Sequence, residues 1–398
     1  MALSTQLAEA RSRIGYSQED AANALGVSRA MLSYWESGKR EPNARQLTAL
    51  AGLYRVDLDV LVLGGDLNPA GDVAAMLFRG ADEDLPEDAQ AGIREWVDFL
   101  DRYAELARAA SFDVRGMKQS PFTLTPGFEG ADDARRKAEE VRAHLRLGLG
   151  PIGDLDAVCD LLGVTVFRTG LGEDLTTTIS GAFFNHPEIG FALLVNLDMT
   201  PGRRRFTVAH ELAHALFHAP TDRYVLSLAR KDPRERFADT FAGEFLMPTE
   251  GVRRVMEEHR IGPRIEDPAD VIHLQRYFRV SFVTALVRLR QARILSQSNY
   301  DAFKDVRPVV LARSLGYEID DEEYGTNHDA WRIQRFPQRF LRLLRSAVLN
   351  EILSVPTAAN LTGLSIDEVA ELVSEGEAVG ERADEAEIRQ FEETGVPA

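Results

Sequence analysis

His210 and His214 stand four residues apart, and Glu211 directly follows the first, in Arg205-Phe206-Thr207-Val208-Ala209-His210-Glu211-Leu212-Ala213-His214-Ala215-Leu216-Phe217-His218. On an α-helix that spacing stacks both imidazoles on one face, where they can hold one ion. Glu211 is turned about 100° from His210, so its carboxylate can reach a water on the metal without becoming a ligand. Phe206, Val208, Leu212, Leu216 and Phe217 are apolar, which predicts a helix buried on most sides. Two imidazoles and a carboxylate are costly to bury there without a purpose. The same pentapeptide also occurs around packed core histidines, so the chemical reading needs further ligands.

They lie downstream, in Glu235-Arg236-Phe237-Ala238-Asp239. A catalytic zinc site takes three protein ligands and keeps one open position. Glu235 is a suitable oxygen donor on a second helix. Asp239, one turn later on the same face, can accept the free N–H of a ligating histidine and fix its tautomer. His218 is the rival third ligand. A drift of about 20° per two turns and about 6 Å of rise per four residues make three-point chelation by one straight helix awkward. His218 is therefore read as a group that lines the pocket or bonds to a ligand, or as a plain helix-terminal histidine before Pro220. The chemistry expected is peptide hydrolysis, with Zn2+ polarising the carbonyl and Glu211 as general base. One ion per chain is expected, and His and Glu ligands also suit other divalent ions.

A second chemical signal opens the chain. Ser17 to Glu36 reads as two helices joined at Gly26, with Ser17 and Ser28 as N-caps. Ser28 begins a helix bearing Arg29 and Ser33, with Lys39 and Arg40 just beyond. A recognition helix offers its N-terminal residues to base edges and its basic neighbours to phosphates. Gln18, at the start of the preceding helix, is placed to touch backbone or base. The first 63 residues hold seven Lys or Arg against seven Asp or Glu, so the basic footprint usual for DNA binding is weak. A small helical domain for protein contacts is the competing reading.

The elements that must position these groups follow from periodicity and breakers. A helical stretch runs from Val73 to about Ala110, and Ser111 to Gly130, with Pro121 and Pro126, reads as a linker. Ala134 to Leu147 and Ile152 to Leu162 read as amphipathic helices. Strand candidates are Val164 to Phe167, Ile179 to Phe184 and Phe191 to Val195. The Ile179 to Phe184 strand could pair with an extended peptide substrate. From Gly251 the pattern is helical again, through Arg276 to Leu289 and Arg339 to Leu353; Val306 to Arg335 is the least legible part. Leu274 to Leu289 and Ala358 to Val369 have helix-turn-helix-like spacing, but neither has a basic reading face, and core packing is the better reading. The fold class expected is mainly α with a small β-sheet (α+β). Residues 1–65 would form a DNA-binding unit, 66–130 a helical connector and linker, 131–295 the metal-site domain, and 296–398 a C-terminal helical region with an acidic tail.

Composition narrows the partners. A net charge of −17 disfavours non-specific nucleic-acid binding by the whole molecule. The stretch Glu375 to Glu393 alone holds eight acids against Arg382 and Arg389, as a solvated helix end or disordered segment would. The single cysteine, Cys159, excludes an internal disulfide framework and reads as a buried thiol in a reducing compartment. No apolar run approaches bilayer length and no secretory signal opens the chain, so a cytoplasmic protein with no membrane partner is expected.

The run from Arg205 to His214, with the Glu235 to Pro248 block ending Phe245-Leu246-Met247-Pro248, closely resembles the ImmA/IrrE metallo-endopeptidases over roughly Ala134 to Leu295. The resemblance implies a gluzincin-like fold, zinc on His210, His214 and Glu235, and limited proteolysis of a repressor in stress response or mobile-element control. Ala213 stands where that family usually has Gly. Residues Leu3 to Leu63 resemble the Xre/Cro-type helix-turn-helix of phage repressors, which implies a DNA operator as partner and is compatible with a homodimer. The alternative is a transcriptional regulator or antitoxin-like binding protein whose metal site is structural or sensory.

Overall fold

The computed structural model describes residues 3–13, 16–54, 61–62, 85–114, 116–117, 119–122, 130–172, 179–218, 224–226, 233–319 and 333–374. The chain divides into two compact units, Met1–Val97 and Asp98–Ala398. Among the described residues no helix is long and apolar enough to cross a membrane. The expected acidic tail, residues 73–84 of the expected helix from Val73, and residues 320–332 lie outside the described residues.

The first unit is built from α1 (Leu3–Arg13), α2 (Gln18–Ala24), α3 (Arg29–Glu36) and α4 (Ala44–Tyr54). Leu7, Ala21, Ala22, Leu32, Trp35, Leu50 and Tyr54 form its core. The turn from α2 to α3 needs a left-handed residue, and Gly26 supplies it at φ +66° without a Cβ penalty. Ser28 then caps α3, its Oγ accepting from the Met31 N–H at 3.2 Å. Glu36 at the other end of α3 binds Arg11 of α1 at 2.6 Å, tying the first and third helices together.

Helix α5 (Glu87–Ala109) follows, and its second half belongs to the larger unit. There Phe99 stacks on Phe167 at 4.5 Å, and Tyr103 meets Phe340 edge-on at 5.3 Å. Helix α6 (Ala131–His144) has Asp132 and Asp133 in its first turn, where the helix dipole favours acids. Helix α7 (Leu155–Leu162) is shorter than the expected Ile152 to Leu162. Asp154 accepts from the Ala157 N–H at 2.9 Å, so the cap starts the helix after Gly153, and left-handed Gly163 ends it.

The sheet has four strands, β1 (Thr165–Thr169), β2 (Gly181–His186), β3 (Gly190–Asn196) and β4 (Tyr224–Leu226), in the order β1-β3-β2-β4. β1 runs parallel to β3, while β2 is antiparallel to both β3 and β4. β2 is therefore an inner strand, and Ala182, Phe183 and Phe184 are paired on both sides. This corrects the expectation that Ile179 to Phe184 offers an edge to a peptide, because its hydrogen-bonding groups there serve β3 and β4. The expected linker also proves partly structural. Met117 donates its N–H to the Gly163 carbonyl and accepts from the Phe191 N–H, both at 2.7 Å.

Helix α8 (Pro201–Ala213) packs on β2 and β3 and passes directly into a wider π-turn, His214–His218. Helix α9 (Pro233–Leu246) lies against α8 and α6. Then come α10 (Thr249–Glu258), α11 (Pro268–Phe278), α12 (Phe282–Gln291), α13 (Gln297–Phe303), α14 (Pro308–Ser314), α15 (Gln338–Leu349) and α16 (Val355–Thr362). The run Arg276 to Leu289 is two helices, because Arg279 turns left-handed and Ser281 caps α12 at 3.1 Å from the Thr284 N–H. Phe282, Ala285, Leu286 and Leu289 are buried in the main core, as the packing reading expected. A buried ion pair closes the bottom of α9. Glu244 takes Arg288 of α12, and it accepts from the Thr249 N–H at 2.6 Å where α10 begins.

Candidate metal centre

Pro201 sets the first turn of α8, where a missing N–H costs nothing. From Thr207 the helix is buried residue by residue, so its polar groups must find partners inside the protein. His210 is 7% exposed, Glu211 0%, His214 1% and His218 2%. On α9, Glu235 sits in the first turn, and Phe237, Ala238, Phe241 and Ala242 bury that helix against the core.

This packing brings three donor atoms together. His210 Nε2 and His214 Nε2 lie 3.2 Å apart. Glu235 Oε2 is 3.2 Å from His210 Nε2, and Oε1 is 3.3 Å from His214 Nε2. A tetrahedral ion with bonds of about 2.0–2.1 Å holds its ligand atoms about 3.3–3.4 Å apart, so the two imidazole nitrogens, each with a Glu235 oxygen at a similar distance, are spaced as zinc ligands are. Among the described residues these three form the one group of His, Cys, Asp or Glu side chains so arranged.

Each imidazole is also held from behind. His210 Nδ1 is 3.0 Å from Asp239 Oδ1, and a proton there leaves Nε2 with its lone pair toward the triangle. His214 Nδ1 is 2.9 Å from His218 Nδ1. His218 thus meets the far side of His214 and is not a corner of the triangle, while its ring packs edge-on against Phe237 at 5.4 Å.

Electrostatics favour positive charge at the centre. Burial pulls the His210 imidazole down, but hydrogen bonds to Asp239 and Glu235 more than reverse it, to about 10. Burial raises the Glu235 carboxyl, yet the two imidazoles hold it at about 2. Burial and the neighbouring His214 push His218 down to about 3, which keeps it a neutral hydrogen-bonding group. Glu211 is not one of the donor groups of this triangle. Its Oε1 lies beside Gly181, the first residue of β2. Neither Gly181 nor the strand end holding it was singled out from sequence, because no local pattern ties a glycine to a glutamate 30 residues on.

In the first unit, Arg29 at the start of α3 and Lys39 and Arg40 just past its end are exposed, and Ser33 within it is half-buried. Lys39 lies over the Tyr34 ring at 5.9 Å. Gln18 donates from Nε2 to Glu36 at 2.8 Å, so at least one of its donors serves the fold. Tyr34, 47% exposed on α3, was not singled out; an aromatic left in water on a candidate reading helix was the available signal.

Residues 159–290 match the peptidase-family model described as the IrrE N-terminal-like domain, and residues 7–61 match the helix-turn-helix model. The chain therefore carries one domain of each kind. It is also similar to the HTH-type transcriptional regulator ImmR of Bacillus subtilis (strain 168), 41% identical over 66 residues. That match covers 17% of this chain and 51% of the relative, so the chain spans about half the length of the curated relative it matches.

Proposed function

We propose that the chain is a DNA-binding regulator and zinc-dependent endopeptidase that cleaves a repressor-like regulatory protein, in stress response or mobile-element control. The observation that carries this is the three-cornered donor set, with Glu211 next to His210 on the same helix. Three ligands leave a tetrahedral ion one open position, whereas a purely structural site tends to be closed by a fourth.

His210, His214 and Glu235 would hold the ion, with Asp239 and His218 fixing the two rings. Zinc there supplies a Lewis acid that polarises the scissile carbonyl and lowers the pKa of a water. Glu211 would accept one proton from the water that adds to the carbonyl carbon. When the C–N bond breaks, Glu211 passes the proton to the leaving nitrogen, giving a carboxylic acid and an amine. Burial of Glu211 keeps its carboxylate from bulk water and strengthens its interaction with the developing charge. The helix-turn-helix domain would bring the enzyme to an operator through Ser28, Arg29, Ser33, Lys39 and Arg40, with Gln18 at the margin.

The matched relative supports a second reading, a transcriptional regulator whose metal site cleaves nothing. One experiment separates them. The zinc-loaded chain and its Glu211→Gln variant are incubated with the products of the neighbouring genes as candidate substrates. The peptidase reading expects one zinc in both proteins and cleavage by wild type alone. Cleavage retained in Glu211→Gln removes the assigned base, and cleavage by neither favours the regulator.

A further inference from the structure

Glu211, like Asp239, has no place in the donor triangle, so other contacts must set its orientation. The nearest wall is β2. A methyl built on Gly181 would lie 2.6 Å from Thr207 Cγ2, 2.8 Å from the Leu194 carbonyl oxygen and 2.9 Å from Glu211 Oε1. Real side-chain carbons do not come so close, so only glycine fits between α8 and β3 at this point. The three neighbours differ in how they can yield. The Leu194 carbonyl belongs to an inner strand, and Thr207 is buried one turn before Glu211 on α8. The Glu211 carboxylate is the far end of a flexible side chain, so it is the group a larger residue would displace.

The position of Gly181 is itself held by Asn196, fully buried at the end of β3. The Asn196 N–H donates to the Ser180 carbonyl at 3.0 Å. Its side-chain Nδ2 donates to the Gly172 carbonyl at 3.0 Å, and its Oδ1 accepts from the N–H groups of Leu171 at 3.1 Å and Asp198 at 2.9 Å. A side-chain amide, with both donors and an acceptor, is the group that can serve carbonyls on one side and N–H groups on the other. Asn196 thus fastens residues 171–172 and Ser180 to one strand end, and with them the start of β2.

We propose that Gly181 and Asn196 are positioning residues for Glu211. Gly181 admits the carboxylate to its place against β2, and Asn196 keeps that strand end from moving. The metal ligands sit on α8 and α9, and none of them is among the three atoms nearest Gly181, so Gly181 acts on the base more directly than on the ion. The catalytic part rests on the hydrolytic reading above; the contact itself does not.

A double-mutant cycle on the full-length, zinc-loaded chain tests the contact, because residues that touch are non-additive. Melting temperature is measured for wild type, Gly181→Ala, Glu211→Ala and the double variant. The expected result is a smaller Tm loss from Gly181→Ala in the Glu211→Ala background, because the clash with Oε1 is gone there while those with Thr207 and the Leu194 carbonyl remain. Equal losses in the two backgrounds overturn the proposal. If Gly181→Ala alone does not fold, folding of the double variant supports the proposal; if neither folds, the cycle is run with Asn196→Ser in its place, and additivity there overturns it. Where wild type cleaves its substrate, Gly181→Ala and Asn196→Ser should each lower kcat about tenfold or more, since misplacing a group by about 1 Å can cost 10²-fold. KM and zinc stoichiometry should stay near wild type; a fall in zinc content matching the fall in kcat would overturn the separation of the two roles. If wild type cleaves nothing, the hydrolytic reading fails while the melting cycle still decides the contact.

Discussion

His218 Nδ1 lies 2.9 Å from His214 Nδ1, on the side of that ring away from Glu235, just as Asp239 stands behind His210 at 3.0 Å. The two ring ligands are therefore backed by different groups, one a half-exposed carboxylate and the other a buried neutral imidazole. Partners behind metal-ligating histidines fix ring orientation, and their loss typically costs about 10–100-fold in metal affinity. His218→Phe should keep the fold and weaken zinc binding by about that factor. Competition against a chromophoric chelator measures it, and wild-type affinity in His218→Phe would leave His218 as plain packing.

Zinc affinity should depend on pH through His210. Its pKa is raised to about 10, so below that pH a proton occupies the ring and must leave as the metal enters. Affinity is then greatest at high pH and falls by up to about tenfold per unit as pH drops below the raised value. Removing Asp239, one of the groups that raise His210, should flatten this dependence. Titrations of wild type and Asp239→Ala between pH 6 and about 9 report both slopes.

The pair Glu244 and Arg288 is almost fully buried and joins α9 to α12. Removing one partner of a buried pair leaves an uncompensated charge, at a cost of about 3–5 kcal/mol. Arg288→Met should lose stability of that order in denaturant unfolding. Adding Glu244→Gln, which keeps an acceptor for the Thr249 N–H, should recover a large part of it. An Arg288→Met chain as stable as wild type would show that the pair contributes little.

Two classes of DNA contact should separate by salt. Lys39→Ala, next to the reading helix, should weaken binding evenly across sequences and reduce the salt slope by about 1. Arg29→Ala, in the first turn of α3, should cost about 1–3 kcal/mol and relax preference at one base position. Fluorescence anisotropy with operator and scrambled duplexes over a salt series distinguishes them. Identical behaviour of the two variants would place Arg29 on phosphate.

What could be read along the chain was whatever depends on spacing within one element. The 210–214 interval follows from helical periodicity, and the Gly26 turn with its Ser28 cap follows from the few residues that tolerate φ above zero or accept from a free N–H. Glu235 and Asp239 were legible as a pair one turn apart, though not their distance from the histidines, which depends on how α9 packs on α8. The π-turn after α8 brings His218 to the back of His214, and tertiary pairing decided that β2 lies between two strands instead of at an edge. It also set Gly181 against Glu211, 30 residues apart in sequence and within touching distance in space. Periodicity specifies which side chains share a face; only the burial of one face against another specifies which of them meet.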